Sequence, residues 1–462
     1  MQNVNTAERK GNPLGWEKIG KLLLKFSLPG IISMLVNSLY NIVDQIFIGQ
    51  GVGYLGNGAT TVIFPLTTIA LAFSLLIGDG AASYMSLMLG RKNQEEASKA
   101  VAVATWFSVA VSVLLAIIMI IFIKPLCYLF GATDLIFPYA KNYGIIIALG
   151  LPFSTISVAY AGFIRADGSP LYNMTGLIVG CVTNIVLDYL FVIVMPWGVE
   201  GAALATIIGQ AVNAIIYVVY LFKLKTVKLS KKVFKESYKA ILKVCSLGIS
   251  SFINQMLVVI IIGAQNNLLK QYGALSEYGP EIPQTALGVT MKLFNIVMAV
   301  LIGLSAGSQP IWGYNYGSGQ VDRVKKTLLY SMTVATVIIS VVFVIFQIFP
   351  YQVVSIFGNQ DALYTEFSVK CLKIYLLLLP VSGIRMLGSS FLQAVGKPLP
   401  ATILSISKQV AIQLPAMFIL TSYIGVDGVL WSGPVSDLIS FILTILVLFI
   451  VCKKIFNKRQ TS

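Results

Sequence analysis

Long apolar runs, separated by short polar connections, dominate the pattern of hydrophobic positions along this chain. A run of about 20 apolar residues is long enough for an α-helix to cross the hydrocarbon core of a bilayer. The pattern predicts twelve such helices. They cover residues 26–49, 59–85, 100–123, 139–162, 171–195 and 201–222, followed by 245–269, 285–309, 327–350, 370–392, 400–424 and 428–452.

The composition agrees with this pattern and excludes several classes of protein. Of the 462 residues, 57% are hydrophobic and only 11% are charged, whereas soluble domains contain about 25% charged residues. A soluble globule is therefore excluded, and so is a disordered chain, because disorder requires low hydrophobicity. The chain has no histidine, which removes His-based acid–base catalysis and His-containing metal sites. The predicted fold class is an all-α membrane protein.

With exceptions such as Lys124 and Lys141, most basic residues fall on alternate connections between the predicted helices. They are Arg9, Lys10, Lys18, Lys21 and Lys25; Arg91, Lys92 and Lys99; Arg165; the lysines of the linker 223–244; Arg323, Lys325 and Lys326; Lys397; and Lys453, Lys454, Lys458 and Arg459. By the positive-inside rule, these connections face the cytoplasm. We therefore expect a multi-pass protein of the plasma (inner) membrane with a cytoplasmic N-terminal segment (1–25), linker and tail (453–462). The basic residues behind the net charge of +15 therefore indicate the orientation of the chain in the membrane. They do not indicate binding to nucleic acid, which is not an expected partner.

Five short motifs recur in the same order in both halves of the chain. SLPG at 27–30 matches SLGI at 246–249, and GRKNQEEASKA at 90–100 matches GSGQVDRVKKT at 317–327. The other pairs are LFGATD with IFGNQD, FIRADGSP with FLQAVGKP, and GVEGAALA with GVDGVLWS. The repeat predicts two six-helix lobes, an N-lobe at 26–222 and a C-lobe at 245–452, related by an axis along the membrane normal. Several secondary transporters share this plan, with the substrate path between the lobes.

The order of these motifs resembles that of the multidrug and toxic compound extrusion (MATE) family over essentially the whole chain. The resemblance is carried by SLPG…LYNIVDQIFIG, LGRKNQEEA, FIRADGSP, TNIVLDYLF, GVEGAALAT and SKQVAIQLP. It implies an antiporter, not an enzyme, that exports organic cations in exchange for protons or sodium ions by alternating access. We expect a monomer whose partners are small-molecule organic cations and membrane lipid, with no cofactor besides the coupling ion.

Acidic residues inside membrane helices are costly and mark functional sites by default. The sequence places two well within predicted spans, Asp44 and Asp188, while Asp79 is assigned to the membrane interface. Both lie about 17–18 residues after their helices enter the membrane, or ~26 Å up. Tyr143 and Thr206, on helices that run the other way, reach a similar depth. We therefore expect these four side chains to meet.

The resemblance implies that Asp44, Tyr143, Asn184, Asp188 and Thr206 form the network that takes up the coupling ion. Two carboxyl groups in a low-dielectric cavity resist simultaneous ionisation, so one can load and release a proton. Alternatively, Asp44, Asn184 and Asp188 can supply the oxygen ligands that a sodium ion prefers. A neutral polar cluster that stabilises helix packing is the third interpretation. The sequence does not separate protons from sodium ions.

Further candidates lie on the helices expected to line the path between the lobes. The substrate-path candidates are Asn37, Asn41, Gln255, Met256 and Met291. Pro29 removes a backbone hydrogen bond and can kink helix 1, and the resemblance implies that this kink changes with protonation of Asp44. Lys292, Arg385 and Lys408 are intramembrane cations, for which snorkelling or bonding to carbonyl groups is the structural alternative. With no mid-span acid expected in 245–452, coupling is predicted in the N-lobe alone.

Two other functions compete with export. A flippase for lipid-linked sugars would favour a cavity lined with arginines. The sequence places only Arg385 mid-span, which counts against this function. An integral-membrane transferase would need catalytic groups, and the chain offers neither histidine nor a clustered acidic motif.

Overall fold

The computed structural model describes residues 12–52, 54–130, 132, 134–279, 281–355 and 362–457, and these are almost entirely helical. The helices of the first half are α1 (Ile19–Gly51), α2 (Tyr54–Gly90), α3 (Gln94–Ile121), α4 (Ile123–Leu129), α5 (Phe137–Ala166), α6 (Pro170–Asp188) and α7 (Gly198–Tyr220). They are followed by α8 (Lys231–Glu236), α9 (Ile241–Gly273), α10 (Glu281–Gly317), α11 (Val321–Ile348), α12 (Pro350–Ser355), α13 (Ala362–Tyr375), α14 (Leu379–Ala394), α15 (Pro398–Ile406), α16 (Leu414–Ile424) and α17 (Asp427–Asn457).

The predicted twelve-span architecture is confirmed over the described residues. Eleven helical segments there are long and apolar enough to cross a membrane, and α13 with α14, bent by 48° at their junction, completes a twelfth. Two spans contain a π-helical segment, Tyr189–Val194 after α6 and Ser407–Gln413 between α15 and α16. Most helices are longer than predicted because helical hydrogen bonding continues into polar residues beyond the apolar run; α1, for example, begins at Ile19.

Each half has its own apolar core. In the first half, Ile63, Ile147 and Leu151 belong to one buried cluster. In the second half, Leu301 and Phe391 belong to another. A third cluster mixes the halves: the beginning of α9 packs with the end of α2. The halves therefore share apolar packing at one end of the bundle, where the connections 91–93, 221–240 and 318–320 lie, and we call it the basic end.

At the basic end the halves approach backbone to backbone. A Cβ atom placed on Gly30 of α1 would lie 2.6 Å from the carbonyl oxygen of Gly303 on α10. A Cβ on Gly248 of α9 would lie 1.8 Å from the carbonyl oxygen of Leu76 on α2. Since real Cβ atoms do not come so close to other atoms, these crossings require glycine. The described conformation is therefore closed at this end.

Polar contacts also tie the halves together at the basic end. The Arg323 guanidinium donates hydrogen bonds to the carbonyl oxygens of Leu14 (3.1 Å) and Glu17 (2.6 Å), which anchors the segment before α1 to the second half. Lys243 of α9 forms an ion pair with Glu96 of α3 at 3.3 Å. These noncovalent contacts hold the two halves together at this end, in addition to the linker.

The linker between the halves is ordered and attached to the first half. The Asp167 carboxylate accepts hydrogen bonds from the backbone N–H groups of Lys225 and Thr226, both at 2.8 Å, and from the Tyr220 hydroxyl at 2.7 Å. The linker then forms α8 and a 3₁₀ turn, and α9 begins at Ile241, so the last residues of the predicted linker 223–244 are helical. Of the sequence predictions, Arg9, Lys10, Lys458, Arg459 and the motif IFGNQD at 356–361 lie outside the described residues.

Candidate functional site

Close packing of α6 against α7 positions the first polar residues of the site. A Cβ on Gly180 would lie 2.8 Å from the carbonyl oxygen of Gly209, so the two helices touch where both residues lack a side chain. One turn further along α6, the Asn184 amide is buried and its Nδ2 lies 3.5 Å from the Thr206 hydroxyl of α7. Small residues at a helix crossing thus bring polar side chains into contact across it.

The carboxyl groups of Asp44 and Asp188 meet beside this crossing. Asp188 ends α6 and is fully buried, and α1 packs against α6. The two carboxyl groups lie close enough for their charges to interact, and the Thr206 hydroxyl is a further polar neighbour of Asp44. Asn184 interacts with the Asp188 carboxyl from one turn away. The structure therefore brings together Asp44, Asp188 and Thr206, three of the four side chains that the depth argument placed at one height, with Asn184 beside them.

Two tyrosines complete the site. Tyr143 of α5 is buried, and its hydroxyl group is close enough to interact electrostatically with the carboxyl groups of Asp44 and Asp188. Tyr40, which the sequence reasoning missed, lies one helical turn before Asp44 and interacts with Asp44 and Thr206. Its position four residues before the acid was the available signal, because residues at i and i+4 share a helix face.

The site carries unsatisfied negative groups. Oδ1 of Asp44 and both carboxylate oxygens of Asp188 accept no hydrogen bond from the described residues, and neither does Oδ1 of Asn184. No described Lys or Arg forms an ion pair with either carboxylate. Burying a charge without a partner is costly. Chemically, the arrangement can therefore accept a proton between the carboxyl groups, or a hard cation held by carboxylate, amide and hydroxyl oxygens.

A metal centre built on three or more acidic or thiol ligands is a different kind of site. The described part of the chain contains no group of three or more Cys, Asp or Glu side chains that could hold a metal ion. Any cation at the site would be coordinated mainly by neutral oxygens around two carboxylates.

Comparison with known proteins identifies the family. The profile of the MatE family matches residues 29–190 and 274–419. The chain belongs to this family, the MATE transporters. Multidrug export protein MepA of Staphylococcus haemolyticus is 26% identical over 443 residues, which are 93% of both chains. MepA of Staphylococcus aureus (strain NCTC 8325 / PS 47) is 26% identical over 437 residues, or 93% of this chain and 94% of that one.

Solved structures share the fold. An outward-facing multidrug resistance MATE family transporter of the MOP superfamily superposes with a TM-score of 0.90 at 23% identity, covering 97% of this chain and 99% of that one. A MOP superfamily transporter from Pyrococcus furiosus, described as having a binding pocket of reverse polarity, gives 0.89 at 22% identity, covering 96% and 98%. The resemblance inferred from the motifs and the predicted fold class are both confirmed.

The substrate-path candidates of this MATE chain lie on α1, α9 and α10. Asn41 is exposed, and its amide donates a hydrogen bond of 2.6 Å to the carbonyl oxygen of Asn37. Gln255, Met256 and Met291 are half-buried. Their contribution to a substrate path stays a prediction.

Pro29, the conformational candidate, and Lys292, one of the intramembrane cations, lie in different surroundings. Pro29 is buried within a continuous α1, next to the Gly30 crossing. A role for Pro29 in conformational change stays a prediction. Lys292 is exposed, as the snorkelling alternative requires.

The expectation that residues 245–452 contain no mid-span acid is wrong. Asp437 lies within α17 and inside the predicted span 428–452, with 14% of its side chain exposed. Its Oδ1 lies 2.7 Å from Nζ of Lys408 and 3.9 Å from Nε of Arg385. These cations therefore have a buried acidic partner instead of snorkelling. The sequence contains the signal, an aspartate inside the apolar run 428–452.

The structure gives Asp79 a partner in the second half, while its assignment to the membrane interface stays a prediction. α2 continues to Gly90, five residues past its predicted end, so Asp79 lies well inside the helix. Its carboxylate accepts a hydrogen bond of 2.7 Å from the Ser251 hydroxyl of α9. Asp79 therefore joins the halves near their contact.

Proposed function

We propose that this MATE chain is a secondary active multidrug efflux transporter, which exports organic cations in antiport with protons or sodium ions by alternating access. The observation that carries the proposal is the pair of neighbouring carboxyl groups of Asp44 and Asp188, neither of which forms an ion pair with a described Lys or Arg. The names of the MepA relatives, multidrug export proteins, support the export of drugs.

The chemistry of the pair accounts for exchange. With a proton or a sodium ion bound, the Asp44–Asp188 pair loses negative charge, and with the ion released it regains that charge. A ligand cation is attracted to the charged pair and not to the neutralised one. Coupling ion and organic cation therefore favour different charge states of one site, and binding of one promotes release of the other. No nucleotide or chemical conversion is needed, because the ion gradient supplies the energy.

The closed basic end fits one step of this cycle. If the basic end faces the cytoplasm, as the positive-inside rule proposes, the described conformation can load the coupling ion and release substrate on the outer side. The opposite state then requires the halves to separate at the glycine crossings of α1 with α10 and of α2 with α9.

Coupling is proposed in the first half although the second half also has a buried acid. Asp437 is neutralised by Lys408 at 2.7 Å, so it offers no vacant negative site. Asp44 and Asp188 have no such basic partner among the described residues. The difference in partners, rather than the number of acids, distinguishes the two halves.

The test is efflux of a fluorescent organic cation from proteoliposomes under separately imposed pH and sodium gradients. Efflux driven by one gradient identifies the coupling ion, and efflux that follows neither gradient contradicts antiport. Asp44→Asn should abolish gradient-driven efflux at matched insertion, because the neutral amide keeps the shape but cannot cycle its charge. Asp188→Asn should impair efflux nearly as much, and Asp427→Asn at the beginning of α17, where the carboxylate pairs with Lys370, is the matched control.

Two combinations test the assignment to one half. The double variant Asp44→Asn/Asp188→Asn should lose little more than either single variant, because coupled groups act as one titrating unit. Gln255→Ala should change apparent substrate affinity while the ion-to-substrate ratio stays the same. Additive losses in the double variant, or a changed ratio in Gln255→Ala, would show that coupling extends beyond the pair.

A further inference from the structure

A cavity of about 440 Å³ lies between the two halves at the basic end. Its wall is formed by the end of α2, the beginning of α9, Tyr316 of α10 and the turn before α15. Three basic side chains line it: Arg91, Lys243 and Lys397. The cavity is separate from the site around Asp44 and Asp188, which lies nearer the opposite end.

The cations of the cavity are only partly neutralised. Lys243 pairs with Glu96 at 3.3 Å, donates to the Tyr84 hydroxyl at 3.2 Å and lies 5.6 Å from the centre of the Tyr84 ring. Arg91 and Lys397 are exposed, and neither forms an ion pair with a described residue. The cavity therefore presents two uncompensated positive charges beside a partly neutralised third.

The rest of the wall is apolar. Leu87, Leu247 and Val395 are buried in it, and Leu242 at the beginning of α9 is 81% exposed. A soluble anion would gain nothing from this apolar wall. An amphiphile can contact the cations with an anionic head and the apolar wall with a hydrocarbon tail. Basic pockets between transmembrane helices on the cytoplasmic side bind the headgroups of anionic lipids.

We propose that this cavity binds an anionic phospholipid, whose phosphate lies between Arg91, Lys243 and Lys397 and whose glycerol and upper acyl chain contact the leucines. Arg91 belongs to the first half, and Lys243 and Lys397 belong to the second. A bound phosphate therefore bridges the halves where they already touch, and separating them would pull the cations from it. The lipid stabilises the conformation that is closed at the basic end.

Lipid binding to the purified full chain in detergent tests the proposal without any transport measurement. The probe is phosphatidylglycerol, followed by native mass spectrometry, with phosphatidylcholine and inorganic phosphate as separate arms. Because one basic residue near an anionic surface contributes about 1 kcal/mol, Arg91→Gln or Lys397→Gln should weaken phosphatidylglycerol binding about fivefold, and the double variant about thirtyfold. Lys326→Gln, which removes an exposed cation of α11 outside the cavity, is the matched control.

A second variant separates the apolar wall from the charges. Leu242→Ser should weaken phosphatidylglycerol binding while all three cations stay in place. Unchanged binding in the Arg91→Gln/Lys397→Gln variant, or an equal loss in Lys326→Gln, overturns the site. Inorganic phosphate that displaces phosphatidylglycerol completely at equal concentration would show a soluble-anion site instead of a lipid site. Binding of phosphatidylcholine as tight as that of phosphatidylglycerol would also contradict the proposal.

Discussion

Replacing Asp437 by Asn would leave Lys408 and Arg385 as neighbouring buried cations with no counter-ion. The side chains of all three residues are between 13% and 16% exposed. Removing one partner of a buried ion pair costs about 3–5 kcal/mol, because the remaining charge stays buried and unpaired. Unit charges about 4 Å apart at an effective dielectric constant near 20 give a similar figure, about 4 kcal/mol. We therefore expect Asp437→Asn to lower the free energy of unfolding by about 3–5 kcal/mol.

A second ion pair on the same helix provides the control. Asp427 of α17 lies 2.6 Å from Nζ of Lys370, but their side chains are 29% and 36% exposed. Because water screens this partly exposed pair more than the Asp437 cluster, and fully exposed pairs contribute only about 0–1 kcal/mol, Asp427→Asn should lower stability much less than Asp437→Asn. The chemical change is identical in the two variants. A difference in their free energies of unfolding would therefore come from the deeper burial of Asp437 and from its second cationic neighbour, Arg385.

Unfolding can be followed in one detergent through the reactivity of buried thiols with a fluorogenic dye. Cys127 and Cys371 are fully buried, so both become reactive only when their surroundings open. A double variant, Asp437→Leu with Lys408→Met, should recover part of the loss, since an apolar pair of similar volume often replaces a buried ion pair without cost. Equal unfolding of Asp437→Asn and Asp427→Asn would refute the reasoning, and would show that water reaches the Lys408 ammonium.

Three further predictions concern the basic end. Gly303→Ala places a Cβ about 2.4 Å from backbone atoms of α1. This variant should increase the distance between spin labels placed on α1 and α10 near the crossing. Gly263→Ala, whose new Cβ meets no atom within 4 Å, is the control and should leave that distance unchanged. Lys243→Gln should cost less than about 1 kcal/mol in the same thiol assay, because the Lys243 side chain is 57% exposed and Glu96 keeps its pair with Lys99; a larger loss would show that the Lys243 pair is buried. Asp167→Ala leaves the donors of the linker unsatisfied at about 1–3 kcal/mol each, so trypsin should cut at the linker lysines faster than in the unaltered chain; equal cleavage would contradict the anchoring role.

The membrane spans were predictable because each depends on local composition. Twelve runs of apolar residues suffice to locate twelve spans, although several spans contain more than one helix. The meeting of Asp44 with Asp188 was accessible for a related reason. Depth in a membrane follows from the count of residues along a helix, so two acids at equal depth are natural neighbours. Tyr40 could have been added by the same rule of helical spacing.

Contacts between distant segments were beyond this reasoning. Arg385, Lys408 and Asp437 come from three different spans, and their meeting depends on how those helices are rotated. The π-helical segment at Ser407–Gln413 shifts the face on which later residues lie, so regular helical spacing misplaces them. Asp167 likewise gave no local sign that it holds the linker, because its partners lie more than fifty residues away.

The two π-helical segments also bear on how this chain tolerates changes in length. A π turn closes its hydrogen bonds over five residues instead of four, so it contains about one residue more than an α-helical turn. Deleting a single residue within Tyr189–Val194 or Ser407–Gln413 can be absorbed by conversion of that turn into regular α-helix. The same deletion elsewhere in a span would rotate every later side chain by about 100° and turn apolar positions away from the lipid. Single-residue insertions and deletions among relatives of this chain are therefore expected to concentrate in these two turns.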